Sequence, residues 1–131
     1  GVLTGDMKEV TAVDITLTES DSGMYLIPTS TTVSQTFTLP AISSSGVYFT
    51  YINGGGASAT NHVIQTNASA AVMNGKIWEE FAAGIVNISD KYKITLDGSD
   101  GIVGDRLFII SNGTHWLVTG SVKNTPTFLP P

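Results

Sequence analysis

Two apolar runs joined by Asn112-Gly113 dominate the last third of the chain, where residues 106–119 read RLFIISNGTHWLVT. Asn-Gly favours a type I′ turn, whose two central residues both need positive φ, so the stretch predicts a tight β-hairpin. A two-residue loop sets Ile109 opposite Trp116 and Leu107 opposite Val118 on one face. The other face carries Phe108, Ile110 and Leu117, joined by Arg106, His115 and Thr119. A hairpin with one wet side alternates apolar and polar residues, whereas this one is apolar at the centre of both. One face can line the chain's own core; the other calls for cover from a long loop or a second subunit. That demand points to assembly more than to catalysis.

The rest of the chain repeats short period-two runs between turn signals. Val13, Ile15 and Leu17 alternate with Asp14, Thr16 and Thr18; residues 24–27 are a short apolar run closed by Pro28. Phe37 and Leu39 point inward from 36–39, and residues 47–52, VYFTYI, are apolar on both faces. Residues 62–66, 85–88 and 92–96 read as further strands. Residues 70–84 fit two descriptions: Ile77, Trp78, Phe81 and Ala82 have helical spacing, while Ile77, Glu79 and Phe81 suit a strand. A loop with one helical turn is the expectation there. Short strands with Gly- and Ser-rich turns and no long helix predict an all-β protein, an antiparallel β-sandwich or jelly roll of about eight strands. The expected divisions are an amino-terminal arm at 1–12, the sandwich at 13–120 and an extended tail at 121–131.

Composition sharpens this picture. Of 131 residues, 41% are hydrophobic and only 13% charged, about half the usual ~25% charged share. A monomer with so little surface charge is poorly protected against association, which favours an oligomer or a docked protein. Net charge is −5 and the six basic residues are scattered, so no basic patch invites nucleic acid. The lack of cysteine excludes disulfides, thiolate metal sites and Cys nucleophiles. The start, GVLTGDMKEV, has neither the basic nor the apolar region of a signal peptide, and Gly1 suggests loss of an initiator Met or an upstream piece. No apolar run approaches the roughly 18 residues of a membrane span, so a soluble protein is expected.

Candidate chemistry is thin. His62 and His115 stand apart without HxH or HExxH spacing, and a metal site needs several convergent ligands. Asp97, Asp100 and Asp105 share a Gly-rich loop that could offer oxygens to Ca²⁺, but Ser99 holds the third position and the closing Glu is missing. Tight turns explain the same residues. No Ser lies in G-x-S-x-G, Gly54-Gly-Gly56 completes no phosphate loop, and Gly75-Lys76 is followed by Ile77. Glu79 and Glu80 are neighbours and do not face each other on a helix or a strand. No catalytic, metal-binding or cofactor-binding residue is nominated, and no enzyme is expected. Asn67, Asn87 and Asn112 head formal glycosylation triplets, which chance explains in so Ser- and Thr-rich a chain. Tyr25, Tyr48, Tyr51, Tyr92, Trp78 and Trp116 could build a carbohydrate platform, although core and subunit-contact roles account for such aromatics more often.

Several motifs recur together. They are Ile94-Thr-Leu-Asp-Gly98, Gly104-Asp105-Arg106 and Ser111-Asn-Gly-Thr-His-Trp116, with Val118 and Gly120. Towards the front, Thr16-Leu-Thr-Glu-Ser-Asp-Ser-Gly23 precedes Tyr25-Leu26, Thr38-Leu-Pro40 and Gly46-Val-Tyr-Phe49. This set, spanning most of 16–120, resembles the capsid decoration (cement) proteins of tailed bacteriophages and related head-fibre and tail-fibre domains. Met24 departs from the pattern, where Lys is common, and so does His115, where Asn or Lys is common. The resemblance implies a jelly-roll-like sandwich, often trimeric, that docks at three-fold positions of the head and bridges major capsid subunits. Its shared motifs are structural, so no catalytic role follows from them.

On these grounds a homotrimer is expected, with Tyr48, Phe108, Ile110, His115 and Leu117 as candidate subunit contacts. Val2, Leu3 and Met7 in the arm, and Phe128 and Leu129 in the tail, are candidate contacts to the major capsid protein, on segments that order as they dock. No cofactor, nucleic acid or membrane partner is expected, and the acidic balance suits the outer capsid surface of the virion. The alternative is a receptor- or glycan-binding domain of a phage fibre or spike. Such a domain usually belongs to a longer chain with repeats or heptads, and neither occurs here. A jelly-roll coat protein is a third reading; it would carry a basic arm, whereas Lys8 here stands against Asp6 and Glu9.

Overall fold

An alternation with a period of two serves only a half-buried strand, and strands are what the chain forms. The computed structural model describes the backbone of residues 7–10 and all of 14–28, 33–54, 60–97 and 104–131. Among them are β1 (Met7–Val10), β2 (Asp14–Thr16), β3 (Tyr25–Pro28), β4 (Gln35–Thr38), β5 (Ser45–Ile52) and β6 (His62–Gln65). Then follow β7 (Met73–Glu79), β8 (Gly84–Lys91), β9 (Lys93–Leu96), β10 (Arg106–Asn112), β11 (Trp116–Val122) and β12 (Thr127–Leu129). Two short 3-10 turns, Glu19–Asp21 and Asn67–Ser69, are the only helical pieces described.

The strands build two sheets packed face to face, the all-β sandwich read from the sequence. The larger has the order β1-β3-β5-β10-β11-β7-β8, the smaller β12-β9-β6-β4-β2. From β1 to β6 the chain changes sheet at every strand. As a result β1, β3 and β5 run parallel in one sheet, and β2, β4 and β6 run parallel in the other. A parallel pair needs a crossover, and here each crossover is a strand of the opposite sheet. The second half closes this flattened coil with antiparallel partners, β10 against β5 and β9 against β6. The sheets are therefore mixed where antiparallel ones were expected, and the described residues form twelve strands where about eight were expected. Apolar alternation is the same whichever way a neighbour runs, so it carries no signal of direction.

Three local expectations are corrected. Residues 70–84 are not a loop with a helical turn but the whole of β7, a turn at 80–83 and the start of β8. Pairing decides it: β7 lies parallel to β11 from Met73↔Trp116 to Glu79↔Val122, and that ladder outweighs the helical spacing. The hairpin exists, but its register is Ile109↔Val118 and Ser111↔Trp116, two residues from the expected pairing. Asn112 Oδ1 accepts from the backbone N–H groups of Thr114 and His115, at 3.0 and 2.8 Å. That bonding moves the turn onward, and only Gly113 of Asn112-Gly113 takes positive φ. A slip of two keeps every side chain on its face, so the expected faces hold.

The termini are the third correction. Met7, expected in a free arm, lies in β1 and pairs with Tyr25. Phe128 and Leu129, expected in an extended tail, lie in β12 at the edge of the smaller sheet, opposite Ile94 and Lys93. Phe128 also packs against the core. Residues 7–10 and 127–129 are thus strands of the sandwich. Val2 and Leu3 lie outside the described residues.

The core fills the space between the sheets. Leu26, Phe49, Leu107, Ile109, Trp116 and Val118 come from the larger sheet, and Phe37, Ile64 and Ile94 from the smaller, all essentially inaccessible to water. Burying each such side chain contributes roughly 1.5–3 kcal/mol. This core anchors β5, β10 and β11 by one face, which leaves the other face of the larger sheet to be described.

Candidate functional site

The outer face of the larger sheet is the feature with no internal explanation. Its side chains stand in rows set by the strand register. One row runs Tyr48, Ile110, Leu117, Asn74, and the next runs Tyr25, Thr50, Phe108, Thr119, Lys76. Tyr48, Phe108 and Leu117 are 42, 39 and 38% exposed, and Ile110 is half-buried among them. The rings of Tyr48 and Phe108 meet at 5.9 Å with a 43° tilt. At that exposure the described residues leave these side chains without full cover. His115 is not part of the face: it sits in the turn, half-buried, with Nδ1 2.9 Å from Thr114 Oγ1.

A third row runs Ile52, Arg106, Ser121, Trp78, Ile85. Between Phe108 and Trp78 the face falls away, because β11 carries small Thr119 and Ser121 where its neighbours carry aromatic rings. The resulting depression has a volume of about 660 Å³ and is lined by Thr50, Trp78, Arg106, Phe108, Thr119 and Ser121, with backbone of Leu107 and Gly120 beneath. Ser121 Oγ donates to Glu80 Oε1 at 3.2 Å, which brings a carboxylate to its edge. Sequence reasoning left Trp78 in a loop and missed this arrangement, since its members come from four strands.

At one end of the core lies a buried polar group. Tyr51 and His62 are both buried, with Tyr51 Oη 2.6 Å from His62 Nδ1 and the rings edge to face at 5.8 Å. Burial first, and the nearby Asp105 carboxylate second, push the Tyr51 pKa far up, so the phenol keeps its proton. The phenol oxygen can donate to Nδ1 or accept from it, so the His62 tautomer sets the direction of this bond. Burial also holds the His62 pKa below the usual imidazole range.

Asp105 is a brace rather than an open ligand. Its Oδ1 accepts from Lys123 N–H at 3.1 Å, and its backbone carbonyl accepts from Asn53 N–H at 2.8 Å. Asp97 is exposed, and Asp100 lies outside the described residues. Among the described residues no group of three His, Asp or Glu is placed to hold a metal ion. Glu79 and Glu80 part as expected: Glu79 is buried and accepts from Ala82 N–H through both oxygens, while Glu80 is exposed. Of the aromatics weighed as a platform, Tyr51 and Trp116 are in the core, whereas Tyr25, Tyr48 and Trp78 face outward on the larger sheet. Compared with known proteins, the chain matches no protein-family model and no curated protein sequence.

Proposed function

We propose that this chain is a structural virion protein, a decoration (cement) protein that binds the outer surface of a bacteriophage head and works as a homotrimer. The observation that carries the reading is the apolar outer face of the larger sheet, built around Tyr48, Phe108, Ile110 and Leu117. Exposed neighbouring apolar side chains on a central hairpin are costly in a free monomer. A second copy is the cover of choice, because the chain has few charges to oppose self-association. The resemblance of residues 16–120 to decoration proteins supplies the setting, and the work it implies is mechanical: tying neighbouring major capsid subunits together.

Contact with the shell falls to the remaining edges. Among the described residues β1 and β12 are edge strands, each with a strand on one side only, and such edges accept a strand from a partner. Met7, Phe128 and Leu129 belong to them; Val2 and Leu3 precede β1. The test is co-sedimentation of the purified chain with expanded, undecorated phage heads. Saturable binding with raised thermal stability of the shell is the expected result. A chain that stays in the supernatant with every head tried overturns the reading.

A further inference from the structure

We propose that the depression between Trp78 and Phe108 is a binding subsite for a neutral pyranose oligosaccharide. The inference goes beyond the mechanical role and rests chiefly on Trp78, Arg106, Thr119 and Ser121; Phe108, which also belongs to the proposed subunit contact, marks the border between the two surfaces. Neighbouring strands lie ~4.8 Å apart, so β10 and β7, two strands from each other, run roughly 10 Å apart, with Phe108 and Trp78 offset by about 7 Å along them. That is room for a sugar ring lying against one wall, and 660 Å³ lies within the ordinary range of small-ligand sites, about 300–1,000 Å³.

The chemistry of the lining selects the ligand. Trp78, 45% exposed, and Phe108 present flat apolar surface, which matches the C–H face of a pyranose. The floor presents the hydroxyl-bearing residues Thr119 and Ser121, with Thr50 beside Phe108. An apolar protein side chain seated here would strip water from these hydroxyls and from Arg106 without replacing its hydrogen bonds. Sugar hydroxyls both donate and accept, and so can replace them. Charge favours a neutral sugar over an acidic one. Arg106 supplies donors and Lys76 stands opposite Thr119 outside the lining, but Glu80 stands against Ser121 with acceptors only, and the whole chain carries −5. A cation and an anion flanking one depression suit adjacent hydroxyls better than a carboxylate.

The experiment is an amide NMR titration of the full chain with cellotetraose, chitotetraose and, as the acidic comparison, a tetra-uronate. The expected result is a saturable shift at Thr119, Gly120 and Ser121 with a dissociation constant of about 1 mM for at least one neutral sugar. Trp78→Ala should weaken it roughly tenfold or more, and Trp78→Phe by no more than about threefold, since a ring remains. Thr119→Lys, which fills the floor from outside the core, should abolish it; the amide spectrum of each variant reports its fold. The proposal is overturned by no saturable shift at about 20 mM of either neutral sugar. It is equally overturned by unchanged affinity in both Trp78→Ala and Thr119→Lys, or by tighter binding of the uronate.

Discussion

The Tyr51 hydroxyl and His62 Nδ1 lie 2.6 Å apart across the sandwich, linking the larger sheet to the smaller through a buried hydrogen bond. Burial there disfavours the charged imidazole, and Tyr51 stays protonated throughout.

Stability should therefore fall in mild acid. The folded pKa of His62 lies below its unfolded value of about 6.5, so the unfolded chain takes up the proton first. The contribution is complete above pH ~6.5 and is lost as pH falls through that value towards the folded pKa. Glu19, held below the usual carboxylate range chiefly by the Ser43 hydroxyl, titrates at lower pH and leaves this window clear. Thermal unfolding followed between pH 7.5 and 5 should show a lower Tm at the acid end. His62→Gln should flatten that slope; an equally steep slope in the variant removes His62 as its cause.

Glycine at position 120 is required by backbone contact rather than by φ. A Cβ there would stand 2.2 Å from the carbonyl oxygen of Arg106 on the paired strand. Gly46, at φ +88, has nothing within 4 Å of the same position. Gly46→Ala should cost only the left-handed strain, about 1 kcal/mol. Gly120→Ala must part β10 from β11 and should cost more, about 2–4 kcal/mol. Urea unfolding of the two variants separates the effects, and equal losses would show that the hairpin yields without penalty.

Leu117 sits opposite Ile110 at the centre of the outer face and is 38% exposed. Leu117→Asp should cost the single chain no more than about 1 kcal/mol, because the core is untouched. In the proposed trimer it would place three carboxylates in an apolar contact. Light scattering should then fall from three times 13.7 kDa to that mass alone. A parent chain that already scatters as a monomer at micromolar concentration would falsify the self-association.

The faces of the hairpin were legible because burial follows a period of two, and Leu107, Ile109, Trp116 and Val118 are buried as the pattern demands. Register was not: a slip of two residues leaves every face unchanged, and the Asn112 side chain set it by capturing two N–H groups. Nor was β7, whose inward positions include Gly75 and the buried carboxylate of Glu79 while Trp78 faces out, so its residues do not alternate apolar and polar. Strand direction left no trace in residue pattern. The depression beside Trp78 was equally hidden, since β5, β10, β11 and β7 must first lie side by side. Sequence reports what each strand turns inward; lateral neighbours decide what the outer face becomes.

The carboxyl-terminal segment tests how far pattern can mislead. Pro126, Pro130 and Pro131 and the absence of alternation suggest a tail free to clasp a partner, whose removal would leave the sandwich intact. In the fold, Phe128 pairs with Ile94 and packs on the core, and Leu129 C=O accepts from Tyr92 N–H at 2.7 Å. Removing residues 127–131 uncovers the edge of β9 and takes that ring from the core. Phe128→Ala should cost about 2–3 kcal/mol, less than a fully buried Phe because the ring is only partly enclosed. For a chain of this size that lowers Tm by roughly 8–12 °C, and the truncation should lower it further. If instead both leave Tm unchanged and reduce only binding to the phage head, β12 is a clasp resting on the sandwich and not one of its strands.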